Sequence, residues 1–392
     1  MTGTDTPRTY KVVLFGATGF TGRLTAEYLA RKVGGSIPWA IAGRNRAKLE
    51  EIKRALVAID PACAAVAVIE ASVDKPESLA EMAKSTRVVI TTVGPYARYG
   101  EPVVKACVEA STDYVDITGE PDFVSMTIER YGAEAKARGL RIVSTCGFDS
   151  IPHDLGALFT VNELPKDVPI TVEGFVRGIG GFSGGTWHSA INAFGNARHS
   201  LKQKPARFEP TNGRKVKGMR PSVRYVRDIK AWACPLPTID PQVVLRSASL
   251  VDRYGPDFRY AHYARIKSTV TLVGGAIAVG GLVLLAQAKP TRDLLLKVRD
   301  PGDGPSEEQR ARSKFSVIFI GSGGGKTVRT EVSGGDPGYT ETSKMVAESA
   351  LCLALDRERL PEIVGVIPPA AAMGEVLIDR LRAAGIRFEV IG

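Results

Sequence analysis

The chain has 392 residues, of which 44% are hydrophobic and 24% charged, and a formal net charge of +10. At ~100–200 residues per domain, this length predicts two domains, or one large domain with a long insertion. The composition excludes a disordered tail, a collagen and a disulfide-stapled miniprotein, and 41 glycines point to many tight turns and close backbone approaches.

The first 145 residues alternate short apolar runs with helical stretches. The runs are Val12–Phe15, Trp39–Ala42, Ala65–Ile69, Arg87–Thr91, Tyr114–Ile117 and Leu140–Ser144. Between them, helices are expected over Arg23–Lys32, Arg46–Val57, Pro76–Lys84, Pro102–Ala110 and Asp122–Arg138. This rhythm predicts a parallel, doubly wound α/β sheet over residues 1–150. From Ile151 to Tyr339 glycine, proline and β-branched residues become more frequent, with strands expected at Ile170–Arg177 and Lys314–Ile320. This reads as a second α+β domain over residues 151–339. From residue 340 the helical pattern returns, with Thr342–Asp356 and Ala372–Ala384 expected as helices that pack back near the first domain.

The middle region holds two unusual segments. Between Arg198 and Lys230 stand eleven Lys/Arg against two acids, Glu209 and Asp228. The run is either a solvated loop or a docking surface for an acidic partner. It lacks the signature of a nucleic-acid-binding fold, so no nucleic-acid partner is expected. Thr269–Ala288 carries no charge and is bounded by Lys267 and Lys289. Its length suits a bilayer span, but its place between two soluble-looking halves favours a buried helix or the wall of an apolar pocket. A helix resting on a membrane surface is an intermediate case.

Five cysteines, at 63, 107, 146, 234 and 352, have no disulfide or zinc spacing. They fit a reducing compartment, and the polar N-terminus shows no leader, so a cytoplasmic protein is expected. The histidines His153, His188, His199 and His262 form no HxxxH or HExxH pattern, so no catalytic metal is expected.

The strongest local signal is Gly16-Ala17-Thr18-Gly19-Phe20-Thr21-Gly22, which follows the first strand and opens the first helix. Gly16 allows a tight turn, Gly19 lets backbone approach a pyrophosphate, and Gly22 lets helix and sheet pack closely. The amides near Phe20 and Thr21 face that phosphate from the helix N-terminus. The second strand ends in Gly43-Arg44-Asn45-Arg46 without the acid an NAD site places there. Arg44 is instead placed for the 2′-phosphate of NADP. Thr92-Val93-Gly94-Pro95 ends the fourth strand and is expected beside the nicotinamide ribose. Tyr96, next in sequence, either reaches the reacting carbon or packs on the sheet. Asp116 and Glu120 either order their loop or hold ribose or substrate. His153, in Cys146-Gly147-Phe148-Asp149-Ser150-Ile151-Pro152-His153-Asp154, is either a helix-entry residue or a proton donor. Ser150 lacks a GxSxG elbow.

Taken in order, GATGFTG, AGR, TTVGPYARYG, DYVDITGE, CGFDSIPHDLG, GGFSGGT, GDPGY (Gly335–Tyr339) and IPPAAAMGEVL (Ile367–Leu377) resemble the saccharopine dehydrogenase-like oxidoreductases. Within them the sequence is most similar to the mycobacterial trans-acting enoyl reductases. The resemblance covers nearly the whole chain. It implies a Rossmann domain, a second α+β domain and a nicotinamide cofactor, which Arg44 as read above makes NADP(H). It also implies reduction of the α,β double bond of an acyl chain on a polyketide synthase carrier domain, in phthiocerol- or phenolphthiocerol-type lipid synthesis. Tyr96 is then expected nearest the thioester oxygen, with His153 as the alternative acid. Glu70 stands where the family usually has Asp, in the adenine pocket. A second copy of the chain and the inner face of the plasma membrane are further expected partners. C–N bond chemistry on an amino-acid conjugate is the alternative activity, and a nucleotide-binding, lipid-associated protein without turnover is the alternative from another class.

Overall fold

A computed structural model describes residues 8–179, 213–298 and 304–392, together with Ile191 and Pro210. Residues 180–185 of the glycine-rich stretch, and Arg198, Lys202, Lys204 and Arg207 of the basic run, lie outside the described residues. The chain forms two compact units. One comprises residues 1–159 and 339–388, the other residues 160–338 and 389–392.

The first unit is built on a seven-stranded sheet. Its strands are β1 (Tyr10–Phe15), β2 (Trp39–Gly43), β3 (Ala67–Glu70), β4 (Thr86–Thr91), β5 (Asp113–Asp116), β6 (Arg141–Val143) and β14 (Gly365–Val366). They lie in the order β14-β6-β5-β4-β1-β2-β3, and every recorded pairing is parallel. All of β2 and Val12–Phe15 of β1 are buried, as expected for parallel strands covered on both faces. The connecting helices are α1 (Phe20–Val33), α2 (Arg46–Ile59), α3 (Pro76–Ser85), α4 (Tyr96–Glu109) and α5 (Pro121–Ala137). The strand order reverses between β1 and β4. In such sheets ligands bind outside the carboxyl ends of the strands at this reversal.

The C-terminal helices complete this unit. The sixth helix, α6 (Ile151–Asn162), begins in it, and further on come the helices Thr340–Leu355 and Pro369–Ala383, here α11 and α12. Helix α11 packs against α1, β4 and α12 and is buried along most of its length. Glu348 on α11 is fully buried, and its carboxylate meets Arg380 Nε at 2.8 Å, Lys32 Nζ at 3.3 Å and the Tyr28 hydroxyl at 2.6 Å. A buried charge without partners is costly, so this network ties α1, α11 and α12 together. The expected return of the C-terminal helices to the Rossmann sheet is what the fold contains.

The second unit is built on a mixed sheet of β7 (Ile170–Ile179), β8 (Lys215–Gly218), β9 (Arg224–Val226), β10 (Ala231–Pro235), β11 (Asp257–Ile266), β12 (Lys314–Gly323) and β13 (Lys326–Gly334), with β15 (Arg387–Val390) at one edge. Strand β7 lies between β12, antiparallel to it, and β11, parallel to it. Gly324 and Gly325, with φ of 58° and 79°, make the two-residue turn between β12 and β13, the left-handed geometry that such hairpins require. The helix Asp240–Leu250 (α7) covers β8 and β11.

Thr269–Gln287 forms a helix, α8, but contrary to the expectation of a buried helix it is not part of the core among the described residues. Only 6% of its most apolar stretch is buried. It is followed by the helices Lys289–Leu296 (α9) and Glu307–Arg312 (α10) before the chain enters β12. The physical reason is topological. The helix is an excursion of the chain between β11 and β12, and the described residues leave most of its surface without a neighbour.

Candidate functional site

The turn after β1 is held before any ligand enters. The amides of Gly16 and Ala17 donate to Ala42 O at 2.9 and 3.3 Å, and Gly19 N–H closes the loop onto Gly16 O at 3.0 Å. Gly16 adopts φ of +93°, a conformation suited to glycine. A Cβ on Gly22 would stand 2.1 Å from Gly16 O and 2.8 Å from Thr92 Oγ1. The helix therefore begins with its first turn pressed against the strand. No side chain caps α1, whose N-cap is Gly19. The first amides of a helix lack intrahelical acceptors, and Thr18 and Gly19 are exposed beside them. An uncapped helix N-terminus of this kind suits an anion such as a pyrophosphate.

The end of β2 lies alongside. Arg44 is exposed and has no ion-pair partner among the described residues. Asn45 uses its side chain to cap α2 by accepting from Lys48 N at 3.0 Å, and Arg46 meets Glu50 at 3.6 Å. Of the cations there, Arg44 is the one at the strand terminus. Glu70 is exposed and in register with Gly43, one strand further out. The strand ends thus bring one exposed cation, Arg44, and one exposed acid, Glu70, to neighbouring positions, with no ion pair recorded between them.

On the other side of β1, Thr92 N–H donates to Phe15 O at 3.1 Å and its hydroxyl donates to Gly16 O at 3.3 Å. Thr92, Val93, Gly94 and Pro95 thus border the glycine turn directly, and a Cβ on Gly16 would meet Val93 Cγ2 at 2.7 Å. Gly94 and Pro95 are exposed. The amides of Tyr96 and Ala97, at the start of α4, donate to the two Glu120 carboxylate oxygens at 2.8 Å each. A carboxylate is well placed at a helix N-terminus. Glu120 therefore orders the loop, and α4 begins six residues before the expected Pro102.

Tyr96 is buried. Its hydroxyl donates to Thr91 O at 3.0 Å and accepts from Ile117 N at 3.4 Å. Burial, with Asp116 nearby, raises its pKa well above the ordinary phenol value. Of the two roles left open from sequence, packing on the sheet is the one this geometry describes. The hydroxyl is occupied in joining the ends of β4 and β5. Asp116 is fully buried and accepts from Tyr114 Oη at 2.8 Å, Ser144 Oγ at 2.9 Å, Thr118 N at 3.0 Å and Thr145 N at 2.9 Å. Burial raises its pKa to about 6 while these donors oppose the shift. It is a brace between the loops after β5 and β6.

The loop after β6 runs into α6. Phe148 N–H donates to Thr342 Oγ1 at 3.1 Å, and Asp154 accepts from Ala370 N at 2.8 Å. His153 is buried in the first turn of α6, its ring 5.7 Å from Phe148 edge to face. The Cys146 thiol is buried and its pKa is pushed up by burial, the opposite of what a nucleophile needs.

Two residues whose role no sequence motif reveals, Tyr339 and Ser343, also meet the first turn of α1. Tyr339 packs its ring on Phe20 at 4.8 Å, edge to face, and Ser343 Oγ donates to Thr21 O at 3.3 Å. The first turn of α11 therefore fixes the first turn of α1, across more than 300 residues of chain. The GDPGY run was the available signal, but its spacing names no partner.

Comparison with known proteins bears on this geometry. Residues 12–143 match the family described as the saccharopine dehydrogenase NADP binding domain. A Mycobacterium tuberculosis relative, provisionally named a trans-acting enoyl reductase, is 36% identical over 420 residues, with 98% of each chain covered. A Mycobacterium ulcerans protein named trans-acting enoyl reductase is 33% identical, with 97% of each covered. The human saccharopine dehydrogenase-like oxidoreductase is 33% identical, with 98% of each covered. The solved structure of apo saccharopine dehydrogenase (L-Glu forming) from Saccharomyces cerevisiae has the same fold, with a TM-score of 0.55, 14% identity, and coverage of 98% of this chain and 100% of that one. The glycine turn and the uncapped first turn of α1 belong to the matched NADP-binding segment. The chain belongs to the saccharopine dehydrogenase-like family of oxidoreductases and carries that family's NADP-binding domain.

Proposed function

We propose that this protein is an NADPH-dependent trans-acting enoyl reductase, reducing the α,β double bond of an acyl chain held on a polyketide synthase carrier domain. The observation that carries this reading is the full-length likeness to two mycobacterial proteins bearing that name. The long-chain lipid setting, of phthiocerol or phenolphthiocerol type, and a cytoplasmic place beside the synthase belong to the same proposal. When bound, NADPH supplies the hydride for the β-carbon. The chain's own residues bind and orient. Gly16, Thr18, Gly19, Phe20, Thr21 and Gly22 receive the pyrophosphate, and Arg44 faces the 2′-phosphate. Thr92, Val93, Gly94 and Pro95 border the nicotinamide ribose. Reduction of this kind asks little more than orientation, a stabilised enolate oxygen and one proton.

Purified protein should oxidise NADPH with an enoyl thioester on a carrier domain. Turnover with an amino acid and a carbonyl partner in its place would establish the second reading, C–N oxidoreduction, which the family match over residues 12–143 supports. NADPH binding without turnover of either would leave a nucleotide-binding protein.

Tyr96 enters this proposal as a positioning residue. Tyr96→Phe leaves Thr91 O and Ile117 N without their buried partner, an expected loss of about 1–3 kcal/mol. The melting temperature should fall and kcat should stay within about tenfold. A kcat loss of ~10²–10⁴ at unchanged stability would instead make Tyr96 the general acid. With Tyr96 bracing the strand ends, the proton for the α-carbon is assigned to His153 or to water. Unchanged kcat in His153→Ala would select water.

The basic run supports docking to an acidic carrier domain. Lys215 and Lys217 on β8, and Arg220 beyond it, are exposed. Reversing all three to Glu should raise the apparent KM for a carrier-bound substrate and spare a short free thioester. The effect should fade with salt, since exposed charges are screened beyond ~8–10 Å. An unchanged KM at low salt would reduce the run to a solvated loop.

A further inference from the structure

Helix α8 is apolar on every side and lies outside the core. Val270, Val273, Ile277, Leu284 and Leu285 are exposed by 82, 55, 72, 75 and 47%. The mean hydropathy of its most apolar stretch is 2.2. Isolated exposed apolar side chains are ordinary, but a contiguous surface of this kind marks an interaction site. A helix without a polar face has no orientation that suits water.

The charges on its flanks indicate the occupant. Lys267 precedes the helix, and Lys289, Arg292 and Lys297 follow it, against one acid, Asp293. Lys267, Lys289 and Lys297 are exposed. At the N-terminal end Trp232 Nε1 donates to Thr269 Oγ1 at 3.1 Å, and the half-exposed Tyr225 packs edge to face on Trp232 at 5.6 Å. An apolar rod, an aromatic pair at its entry and cations at both ends match the layers of an anionic bilayer, in which Trp and Tyr favour the interface and Lys and Arg the headgroups.

The sheet decides how the helix can sit. At ~1.5 Å per residue, a helix of this length approaches the ~30 Å of a hydrocarbon core. Yet β11 and β12 flank β7 in one sheet, and Ala264 and Lys314 are in register with Val176 and Ile179 near the same end of β7. The chain therefore leaves and re-enters the sheet at one end, roughly two strand spacings or ~10 Å apart. A single crossing would strand β12 on the far side. The residues between Ala288 and Lys314 include Lys289, Arg292, Asp293, Glu307, Glu308 and Arg310, and hold no second apolar run long enough to return. A membrane span is excluded by connectivity.

We infer that α8 lies in the plane of one leaflet of an anionic bilayer, immersed below the headgroups, and holds the second unit on the membrane surface as a monotopic anchor. The backbone groups in the middle of the helix are bonded within it, so immersing that part costs no hydrogen bonds, and Ser268 caps the N-terminal end by accepting from Thr271 N at 3.5 Å. The cations at its two ends contact lipid phosphates.

Flotation of the full-length protein with vesicles tests this. Binding is expected to phosphatidylcholine vesicles containing phosphatidylglycerol, and to weaken with phosphatidylcholine alone. Ile277→Gln combined with Leu284→Gln should lower vesicle affinity at least tenfold while melting temperature and NADPH binding stay unchanged. Lys267→Gln with Lys289→Gln should reduce only the preference for anionic lipid. Tryptophan placed singly at Val270, Ile277 and Leu284 should be quenched to similar extents by lipids brominated at one depth, as an in-plane helix requires. No flotation of the unmodified protein would overturn the proposal. So would equal flotation of the Ile277/Leu284 variant. A lipid-free dimer in sedimentation that this variant dissociates, without vesicle binding, would assign the helix to a second copy. A steep gradient of quenching depth along the helix would refute the in-plane placement.

Discussion

Gly22→Ala is expected to remove measurable NADPH binding and to lower the melting temperature in the same variant. The added Cβ would stand 2.1 Å from Gly16 O and 2.8 Å from both Gly16 C and Thr92 Oγ1. Two of these are backbone atoms of the turn that Ala42 O holds through two hydrogen bonds. Overpacking typically costs ~1–3 kcal/mol, and more where nothing can move. Relief requires α1 to rise off the sheet, which takes the first-turn amides away from the pyrophosphate. Gly19→Ala separates the two effects. Gly19 has φ of −76°, and its nearest atom is Gly16 O at 3.4 Å. That variant should melt like the unmodified protein and still lose affinity, because its methyl group occupies the space through which the pyrophosphate approaches backbone. Calorimetry with NADPH and thermal melts of both variants check this. Full NADPH affinity in Gly22→Ala would mean that the cofactor does not use this turn.

Arg44→Ala should lower NADPH affinity by about 10–100-fold and leave NADH affinity nearly unchanged. Hydrogen bonds to a charged group contribute about 1.5–3 kcal/mol, and each ~1.4 kcal/mol is tenfold in affinity. The exposed guanidinium at the end of β2 makes no ion pair among the described residues, so its donors are available to a phosphate. Arg44→Lys should recover part of the loss, since an ammonium keeps the charge and gives up the planar fork. Equal affinity of the unmodified protein for NADH and NADPH would overturn the assignment.

Much of the first unit was legible along the chain. Buried parallel strands read as continuous apolar runs, and β1, β2 and β4 lie within two residues of their expected bounds. The glycine turn was legible because the constraint on Gly16, Gly19 and Gly22 is local: a strand, a turn and a helix within thirteen residues of Tyr10 to Gly22. The membership of the family was legible for a related reason, since ordered motifs survive where a fold does not reveal itself in any one of them.

What sequence could not supply were contacts set by distant residues. Helix α4 starts at Tyr96 because Glu120, on another loop, accepts from the Tyr96 and Ala97 amides. The two-residue strand β14 is too short for any period, and it exists because β6 offers it a parallel edge. Tyr96 looked free to reach a substrate until Thr91 O and Ile117 N took its hydroxyl. The apolar segment Thr269–Ala288 was expected as a buried helix or a pocket wall, since composition reports what a side chain avoids, not whether a neighbour is present to cover it. The sequence by itself determined the Rossmann framework, the dinucleotide turn and the family. The tertiary structure decided which polar groups are used in bracing and that α8 stands uncovered among the described residues, because both depend on which surfaces the packed elements leave unclaimed.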